Sequence, residues 1–189
     1  MLGLLLAAVF IALNGFFVAA EFAFVKLSTT LAGTQKAPRE DPSITRARAI
    51  VSRIDRYLSV TQLGITLASL GLGWIGEPAI EHIVTSGFQA ALGHPPGKYT
   101  AYVAIAIAFT LLTFGHVLFG ELVPKLIAIQ RSEKLALISA APLQLIFLVF
   151  RPLLWILEKA THLILRGMGL SADAASEGTR IGSGCGEGD

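Results

Sequence analysis

The sequence predicts an all-α membrane protein with three transmembrane helices and further amphipathic helices at the membrane surface. Of its 189 residues, 53% are hydrophobic and only 15% are charged, and the mean hydropathy is +0.67. Soluble domains carry about 25% charged residues. The composition therefore indicates a chain whose main solvent is lipid. With a single cysteine, Cys185, a disulfide framework and a cysteine metal site are both excluded.

Three long and nearly uncharged stretches predict the transmembrane helices, at about residues 1–27, 57–78 and 99–128. Each is long enough to cross roughly 30 Å of hydrocarbon as a helix. A cleaved signal peptide is the alternative for the first stretch. That stretch has no basic residues at its start, however, and Asn14 and Glu21 interrupt its apolar run, so we interpret it as a transmembrane helix.

The rest of the chain predicts juxtamembrane helices and a tail. Residues 135–150 are hydrophobic, but their proline and the charges that follow favour helices in the membrane interface, at about 133–168. A kinked fourth span would also fit the apolar length and is the alternative. A further juxtamembrane helix is expected at about 40–56. These elements make a transmembrane domain of residues 1–170. Gly-rich residues 171–189 predict a flexible tail, with a composition also typical of vector-derived sequence.

The charges of the two long loops predict the orientation. Residues 26–56 contain seven Lys or Arg against three acidic residues, whereas residues 77–98 contain one Lys and two Glu. Because basic loops stay in the cytoplasm, we expect the N-terminus outside and the C-terminus inside a multi-pass protein of the plasma membrane. A nucleic-acid patch is the alternative for the arginines at 46–56. Beside two spans they favour lipid-headgroup contact, so no nucleic-acid partner is predicted.

Polar side chains within the spans are the candidate functional residues, because hydrocarbon tolerates them only when they are paired or hydrated. Asn14 and Glu21 are seven residues apart and share one face of the first helix. Gln62 and Thr66 share one face of the second. Interhelical hydrogen bonding is the alternative for the two amides, and pairing with Lys26 is the alternative for Glu21.

Three further polar residues have structural interpretations. Ser69 and Thr113 are expected to bond their own helix backbone, as serine and threonine in membrane helices commonly do. His116 has no second histidine nearby in its span, so we interpret it as a packing or hydrogen-bonding residue.

Glu121 is the strongest candidate for a cation ligand. Pro124 has no N–H to donate to the Gly120 carbonyl, and its ring pushes against that oxygen, so we expect the third helix to be broken there. A free carbonyl beside a carboxylate supplies two hard oxygen ligands. A structural ion pair with Lys125, four residues further on, is the alternative. The predicted metal ligands are Glu121, Gly120, Asn14, Glu21, Gln62 and Thr66, with Pro124 and Lys125 as structural residues of the site.

Three blocks of the sequence stand out together. They are LNGFFVAAEFA at residues 13–23, QLGIT followed by LGLGWIGEP within residues 62–78, and GELVPK at residues 120–125. In combination they resemble the transmembrane domain of the CorC/cyclin M family of magnesium transporters. Gly120, Glu121 and Pro124 match the family pattern. Many relatives have serine in the first block and asparagine in the second, so the other ligands are inferred from this sequence alone.

The resemblance implies a homodimer with three transmembrane helices per subunit and a belt of juxtamembrane helices. It also implies export of Mg²⁺, coupled to Na⁺, through a dehydrated oxygen-ligand site between the helices. Cytosolic CBS domains that bind ATP are expected in the full-length protein and not within these 189 residues. The glycine-rich second helix independently favours a homodimer, because it exposes small-residue surface suited to helix packing.

The predicted function is therefore magnesium transport rather than catalysis. A membrane anchor or cation sensor for cytosolic regulatory domains is the alternative, and it would bind ions without moving them. An intramembrane protease is disfavoured because the bundle lacks a His-Glu-x-x-His pair.

The predicted topology can be tested by cysteine labelling in a Cys185→Ser background. Cysteines introduced by Thr34→Cys and Gly93→Cys should react with a membrane-impermeant maleimide from opposite sides, with Gly93→Cys accessible from outside. Reaction of both positions from one side would contradict the orientation and the three-span count.

Overall fold

The computed structural model describes residues 2–31, 42–93 and 97–168, and these residues are helical almost throughout. The predicted tail and much of the first loop lie outside the described residues. The elements are α1 (Leu2–Leu31), α2 (Pro42–Val51), α3 (Ile54–Leu92), α4 (Lys98–Gly115), a π-helical segment (His116–Leu122), α5 (Val123–Gln130) and α6 (Ser132–Gly167). No strand occurs within the described ranges, so the all-α prediction is confirmed.

Among the described residues, four helical stretches are long and apolar enough to cross a membrane, by length and composition. The first three, Leu2–Thr29, Ile54–Ala91 and Lys98–Gln130, coincide with the three predicted spans. The fourth is Ser132–Gly167, where interfacial helices were expected. It is a single helix of 36 residues that continues through both of its prolines. The chain is thus a multi-pass membrane protein, and the number of crossings stays a prediction.

The second predicted span is longer than expected. Pro78 does not end α3, which runs for 39 residues to Leu92. It ends at Gly93, whose left-handed backbone, with φ of 70°, lets its N–H bond to the Gln89 carbonyl. A helix of 39 residues is about 58 Å long, roughly twice the thickness of the hydrocarbon. Part of α3 therefore extends beyond the hydrocarbon.

The third predicted helix is widened rather than broken. α4 passes directly into the π-helical segment and then into α5. Val123 donates its N–H to the carbonyl of Leu118, five residues back instead of four. Pro124, which has no N–H, follows at once. A π turn places an extra residue in the helix. It lets the helix continue although the proline has no backbone donor.

The core of the bundle forms around α1, which contacts α3, the π-helical segment and α5. On α3, Gly64 lies against the ring of Phe17, and Gly71 against the ring of Phe10. A Cβ at Gly64 would stand only 2.5 Å from the Phe17 Cζ. Aromatic rings of the first span thus pack against glycines of the second. Part of the small-residue surface that was predicted to contact a second subunit is therefore covered within this chain.

The described residues divide into two compact units, one up to Phe147 and one from Leu148 onwards. In the first unit, Ala136, Ala140 and Leu143 of α6 are fully buried, and the rings of Tyr57 and Phe147 stack with centroids 4.9 Å apart. The first half of α6 is therefore packed. In the second unit, the Lys159 ammonium lies 4.0 Å from the centroid of Trp155.

The packing at Gly64 gives a stability prediction. Gly64→Ala should lower the free energy of unfolding by about 1–3 kcal/mol, because its Cβ would collide with Phe17 in a closely packed interface. Gly87→Ala is the matched control on the same helix, since nothing lies within 4 Å of a Cβ there. Replacing a helical glycine at such an open position should be neutral or stabilising. Thermal unfolding in detergent measures both, and equal stability of the two variants would contradict the packing.

Candidate cation site

Asn14 is the centre of the polar contacts between the helices. Its side chain is fully buried. Its Nδ2 donates a hydrogen bond to the Gly120 carbonyl at 3.0 Å, and its Oδ1 accepts one from the Ser69 hydroxyl at 3.3 Å. Both ends of the amide are therefore satisfied, as buried polar groups in native structures generally are. This one side chain links α1, α3 and the π-helical segment.

Small residues bring α1 close to the π-helical segment. A Cβ on Gly15 would stand 3.0 Å from Pro124 Cγ and 3.3 Å from the Phe119 carbonyl oxygen. A Cβ on Gly120 would stand 3.2 Å from Asn14 Nδ2. The two glycines thus allow the approach that lets Asn14 reach the Gly120 carbonyl, to which Pro124 offers no backbone donor.

His116 begins the π-helical segment and packs over Gly120. Its Cδ2 lies 2.9 Å, and its Nε2 3.5 Å, from the position that a Cβ on Gly120 would occupy. Within the part of the chain that the structure describes, Nε2 is buried and has no hydrogen-bond partner. The packing role expected for His116 agrees with this position, whereas a hydrogen bond from Nε2 is not seen.

A second polar contact joins α1 to α3. The hydroxyl of Thr61 lies 3.1 Å from Glu21 Oε2 and 2.9 Å from the Leu58 carbonyl, and it can donate its hydrogen to either oxygen. Thr61 is buried, and Glu21 is partly buried. Lys26, the alternative partner considered for Glu21, donates to the carbonyl of Ile129 near the end of α5 at 2.6 Å.

Three other predicted ligands lie on the surface of the chain and not between its helices. The side chains of Glu121, Gln62 and Thr66 are exposed, and the Thr66 hydroxyl bonds to the Gln62 carbonyl of its own helix. Successive residues of a helix point in different directions, so with Gly120 buried against α1 the neighbouring Glu121 is exposed. Of the six predicted ligands, Asn14 and Gly120 are in contact between helices, whereas the contact of Thr66 with Gln62 lies within one helix. The described residues contain no group of three or more His, Cys, Asp or Glu that could hold a metal ion.

The Lys125 ammonium has an aromatic partner. It lies 4.6 Å from the centroid of the Phe22 ring, a distance at which cation–π attraction operates. No ion pair joins Lys125 to Glu121 in the described part of the chain. The structural ion pair considered as the alternative for Glu121 is therefore not formed, and the carboxylate is left to other partners.

Sequence reasoning missed three residues of these contacts. Thr61 was not singled out, Ser69 was expected to bond its own backbone, and His116 was not considered part of the site. Helical spacing offered one signal for Ser69, which lies seven residues after Gln62 on a polar face. Nothing in the sequence distinguishes the Thr61 hydroxyl from one bonded only to its own helix.

These features define a helical, multi-pass membrane protein with a buried polar contact between three of its helical elements. The chain matches the model of the cyclin M transmembrane N-terminal domain over residues 5–180, and it belongs to that family. The family description names a transmembrane domain. The resemblance found in the sequence is confirmed.

Curated relatives agree with this assignment. The chain is 42% identical over 183 residues to the UPF0053 protein YhdT of Bacillus subtilis (strain 168), an alignment that covers 93% of this chain and 38% of the relative. It is 35% identical over 174 residues to the UPF0053 protein YhdP of the same organism, covering 92% of this chain and 38% of that protein. The chain thus spans about two fifths of the length of these relatives.

The buried amide predicts a measurable loss of stability. Asn14→Ala removes both hydrogen bonds and leaves the buried Gly120 carbonyl without this donor, which should cost about 1–3 kcal/mol of unfolding free energy. Thr66→Val is the control, because the Thr66 side chain is exposed and bonds only within its helix, and its effect should stay within about 0.5 kcal/mol. Chemical denaturation in mixed micelles measures both. A loss no larger for Asn14→Ala than for Thr66→Val would contradict the role of Asn14.

Proposed function

We propose that this domain transports Mg²⁺ across the plasma membrane, as sodium-coupled export. The observation that best supports the proposal is the buried contact between the Asn14 amide and the Gly120 carbonyl, at a π turn directly beside Glu121. Mg²⁺ prefers about six oxygen ligands near 2.1 Å. The Gly120 carbonyl, the Asn14 amide oxygen and the Glu121 carboxylate are oxygens of the required kind.

The Asn14 amide can serve both the empty and the occupied site. In the structure its N–H group bonds to the Gly120 carbonyl, where a cation would otherwise lie. Turning the amide over would direct Oδ1 towards the cation, beside the Gly120 carbonyl. Nδ2 would then face Ser69, whose hydroxyl accepts a hydrogen bond as readily as it donates one. The amide thus keeps a partner in both orientations, so cation entry leaves no buried polar atom of Asn14 unsatisfied.

Glu121 supplies the negative charge that the Asn14 amide and the Gly120 carbonyl lack. Its carboxylate is exposed in the single chain, and a carboxylate on a membrane-embedded surface is costly without a cation, water or a polar partner. The π turn provides the necessary freedom, because π turns in helices occur frequently at functional sites. A local return of this turn to α geometry would rotate residue 121 relative to α1. Gln62 and Thr66 are exposed on α3 and would join the ligands only after a comparable helix movement.

Glu21 and Thr61 provide a second acidic position for the coupling ion. Glu21 lies about 10 Å from Asn14 along α1, from the helical rise over seven residues. Its carboxylate already accepts the Thr61 hydroxyl across the helix interface. A carboxylate with a hydroxyl beside it offers hard oxygens to Na⁺. We assign Na⁺ to this position and Mg²⁺ to the position at Asn14.

The complete protein would assemble as a homodimer in the bilayer and would continue into cytosolic CBS domains. The length of the relatives leaves room for such domains. On α3, the small residue Gly73 and the large residue Trp74 are both exposed. Together they form a surface against which a helix of a second subunit can pack.

One observation favours the second candidate function, a membrane anchor or cation sensor without transport. The Asn14 amide has a protein partner at each of its two ends, so the same contact can act as a purely structural link between helices. Ion flux separates the two functions, because a sensor binds cations without moving them.

Glu121→Gln tests the proposed function, because it preserves the shape of the side chain and removes its charge. Mg²⁺ affinity measured by calorimetry should fall at least about tenfold, which corresponds to about 1.4 kcal/mol, and Mg²⁺ flux from proteoliposomes should be lost. Folding and assembly should be retained.

Glu133→Gln is the matched control, since it removes another exposed carboxylate, in the first turn of α6. Unchanged Mg²⁺ binding in Glu121→Gln at matched ionic strength would show that Glu121 is not a ligand and would contradict the proposal. Binding without flux in the unaltered protein would favour the sensor.

A further inference from the structure

The turn between α2 and α3 carries a basic patch that the proposed function does not use. Residues 42–56 contain four arginines and one aspartate, which gives this segment a net charge of +3. Arg46, Arg53 and Arg56 are exposed. The patch therefore attracts anions, and its place in the fold decides which anion it meets.

Backbone hydrogen bonds fix the shape of this turn. Arg53 donates its N–H to the Ile50 carbonyl at 3.0 Å, and Arg56 donates its N–H to the Arg53 carbonyl at 3.1 Å. Ala47 and Ile50 are buried, so α2 is held to α1 and α3 by its apolar side. The turn thus holds two arginines at a surface pocket of about 470 Å³. The pocket is lined by Ser52, Arg53, Asp55 and Arg56.

Arg53 and Arg56 lie at the level where hydrocarbon meets the lipid headgroups. Arg56 directly precedes residues 57–76, which carry no charge and belong to the candidate span Ile54–Ala91. An arginine near the end of a span directs its guanidinium towards the headgroups. Lipid phosphates are the anions at this depth, and a guanidinium binds a phosphate through two parallel hydrogen bonds.

The face of α3 that follows Arg56 into the hydrocarbon is apolar. Leu63 and Leu67 come seven and eleven residues after Arg56, so both lie within about 20° of it around the helix axis. Leu67 is 43% exposed, and Leu63 is partly exposed. The rise from Arg56 to Leu67 is about 16 Å, which is half of the roughly 30 Å of hydrocarbon. This face therefore matches the headgroup and the acyl chain of a lipid in one leaflet.

We infer that the α2–α3 turn binds an anionic phospholipid, with its phosphate at Arg53 and Arg56 and an acyl chain along the two leucines of α3. The inference is independent of the proposed ion transport. A zwitterionic lipid is disfavoured because the patch repels its ammonium group. Inorganic phosphate would contact the arginines and gain nothing from the leucines. Trp74, on the surface proposed for a second subunit, lies about 27 Å from Arg56 and so in the other half of the bilayer.

The bound lipid would also steady the helix that carries the polar contacts with α1. α3 presents Thr61 to Glu21 and Ser69 to Asn14. A headgroup held at the first turn of α3 opposes movement of this helix along the membrane normal. Anionic lipid should therefore raise the thermal stability of the folded chain, as a ligand of the native state does.

Native mass spectrometry of the complete chain, titrated with phosphatidylglycerol in Mg²⁺-free detergent solution, tests the site. Each basic residue near an anionic surface is worth a factor of about five in affinity, so Arg53→Gln/Arg56→Gln should weaken lipid binding roughly 25-fold. The single variants Arg53→Gln and Arg56→Gln, each expected to weaken binding about fivefold, keep the test available if the double variant does not fold.

Arg151→Gln/Arg166→Gln is the matched control, because it removes the same charge from exposed positions of α6. Its lipid affinity should stay within about twofold of the unaltered protein. An equal loss of affinity in the two double variants would show general attraction between charges and would overturn the inference.

Two further ligands separate the possible sources of the anion. Phosphatidylcholine should bind at least about fivefold more weakly than phosphatidylglycerol, and an excess of inorganic phosphate should not displace the bound lipid. Equal affinity for the two lipids, or displacement by inorganic phosphate, would overturn the inference. Because these titrations contain no Mg²⁺, either result leaves the proposed function in place.

Discussion

The contact between the Asn14 amide and the Gly120 carbonyl imposes the strictest requirement on this bundle. An amide that is fully buried among membrane helices must have partners at both ends, and it finds them on two different elements. For the partners to be within reach, α1 has to approach the π-helical segment closely, which glycines at 15 and 120 allow. Any side chain at these two positions would separate the helices or displace the amide. The polar contact and the close packing therefore depend on each other.

Proline chemistry explains why that carbonyl is available to a side chain. Pro124 has no N–H for Gly120, and a helix can respond by ending or by changing its hydrogen-bond pattern. Here the pattern changes to a π turn, so the helical run from 98 to 130 stays continuous while one carbonyl is directed to a neighbouring helix. A widened turn differs from an α turn by a small backbone shift. The proposed function requires such a shift, between an arrangement closed by Asn14 and one occupied by a cation.

The electrostatics of the described helices set a second constraint. Glu21 is partly buried beside a hydroxyl, whereas Glu121 is exposed although it lies within a candidate span. Exposed carboxylates at membrane depth are costly unless a charge or water compensates them. Lys125 does not compensate Glu121, since its ammonium lies over Phe22. The compensation has to come from a cation, from water or from another chain, and this is the physical reason for placing ion chemistry at Glu121 rather than at Glu21 alone.

The amino-acid sequence by itself determined the all-helical membrane class, the positions of three apolar helices and the missing backbone donor at Pro124. Those features depend on local hydropathy and on the missing N–H of proline. Both are set by residues that lie close together in the sequence. Asn14 was also identified from the sequence, because an amide in an apolar run requires a partner wherever the helix packs.

The tertiary structure decided which partners meet. Helical spacing groups residues into faces but does not fix how far a helix is rotated about its axis, so it did not show that Ser69 and Thr61 face α1 while Gln62 and Thr66 are exposed. Nor did it show that Nε2 of His116 is buried beside Gly120. The continuation of α3 through Pro78 likewise depends on packing, because a proline permits a helix to end but does not compel it. Spacing along one chain defines a candidate face, and only the packing of neighbouring helices determines what that face contacts.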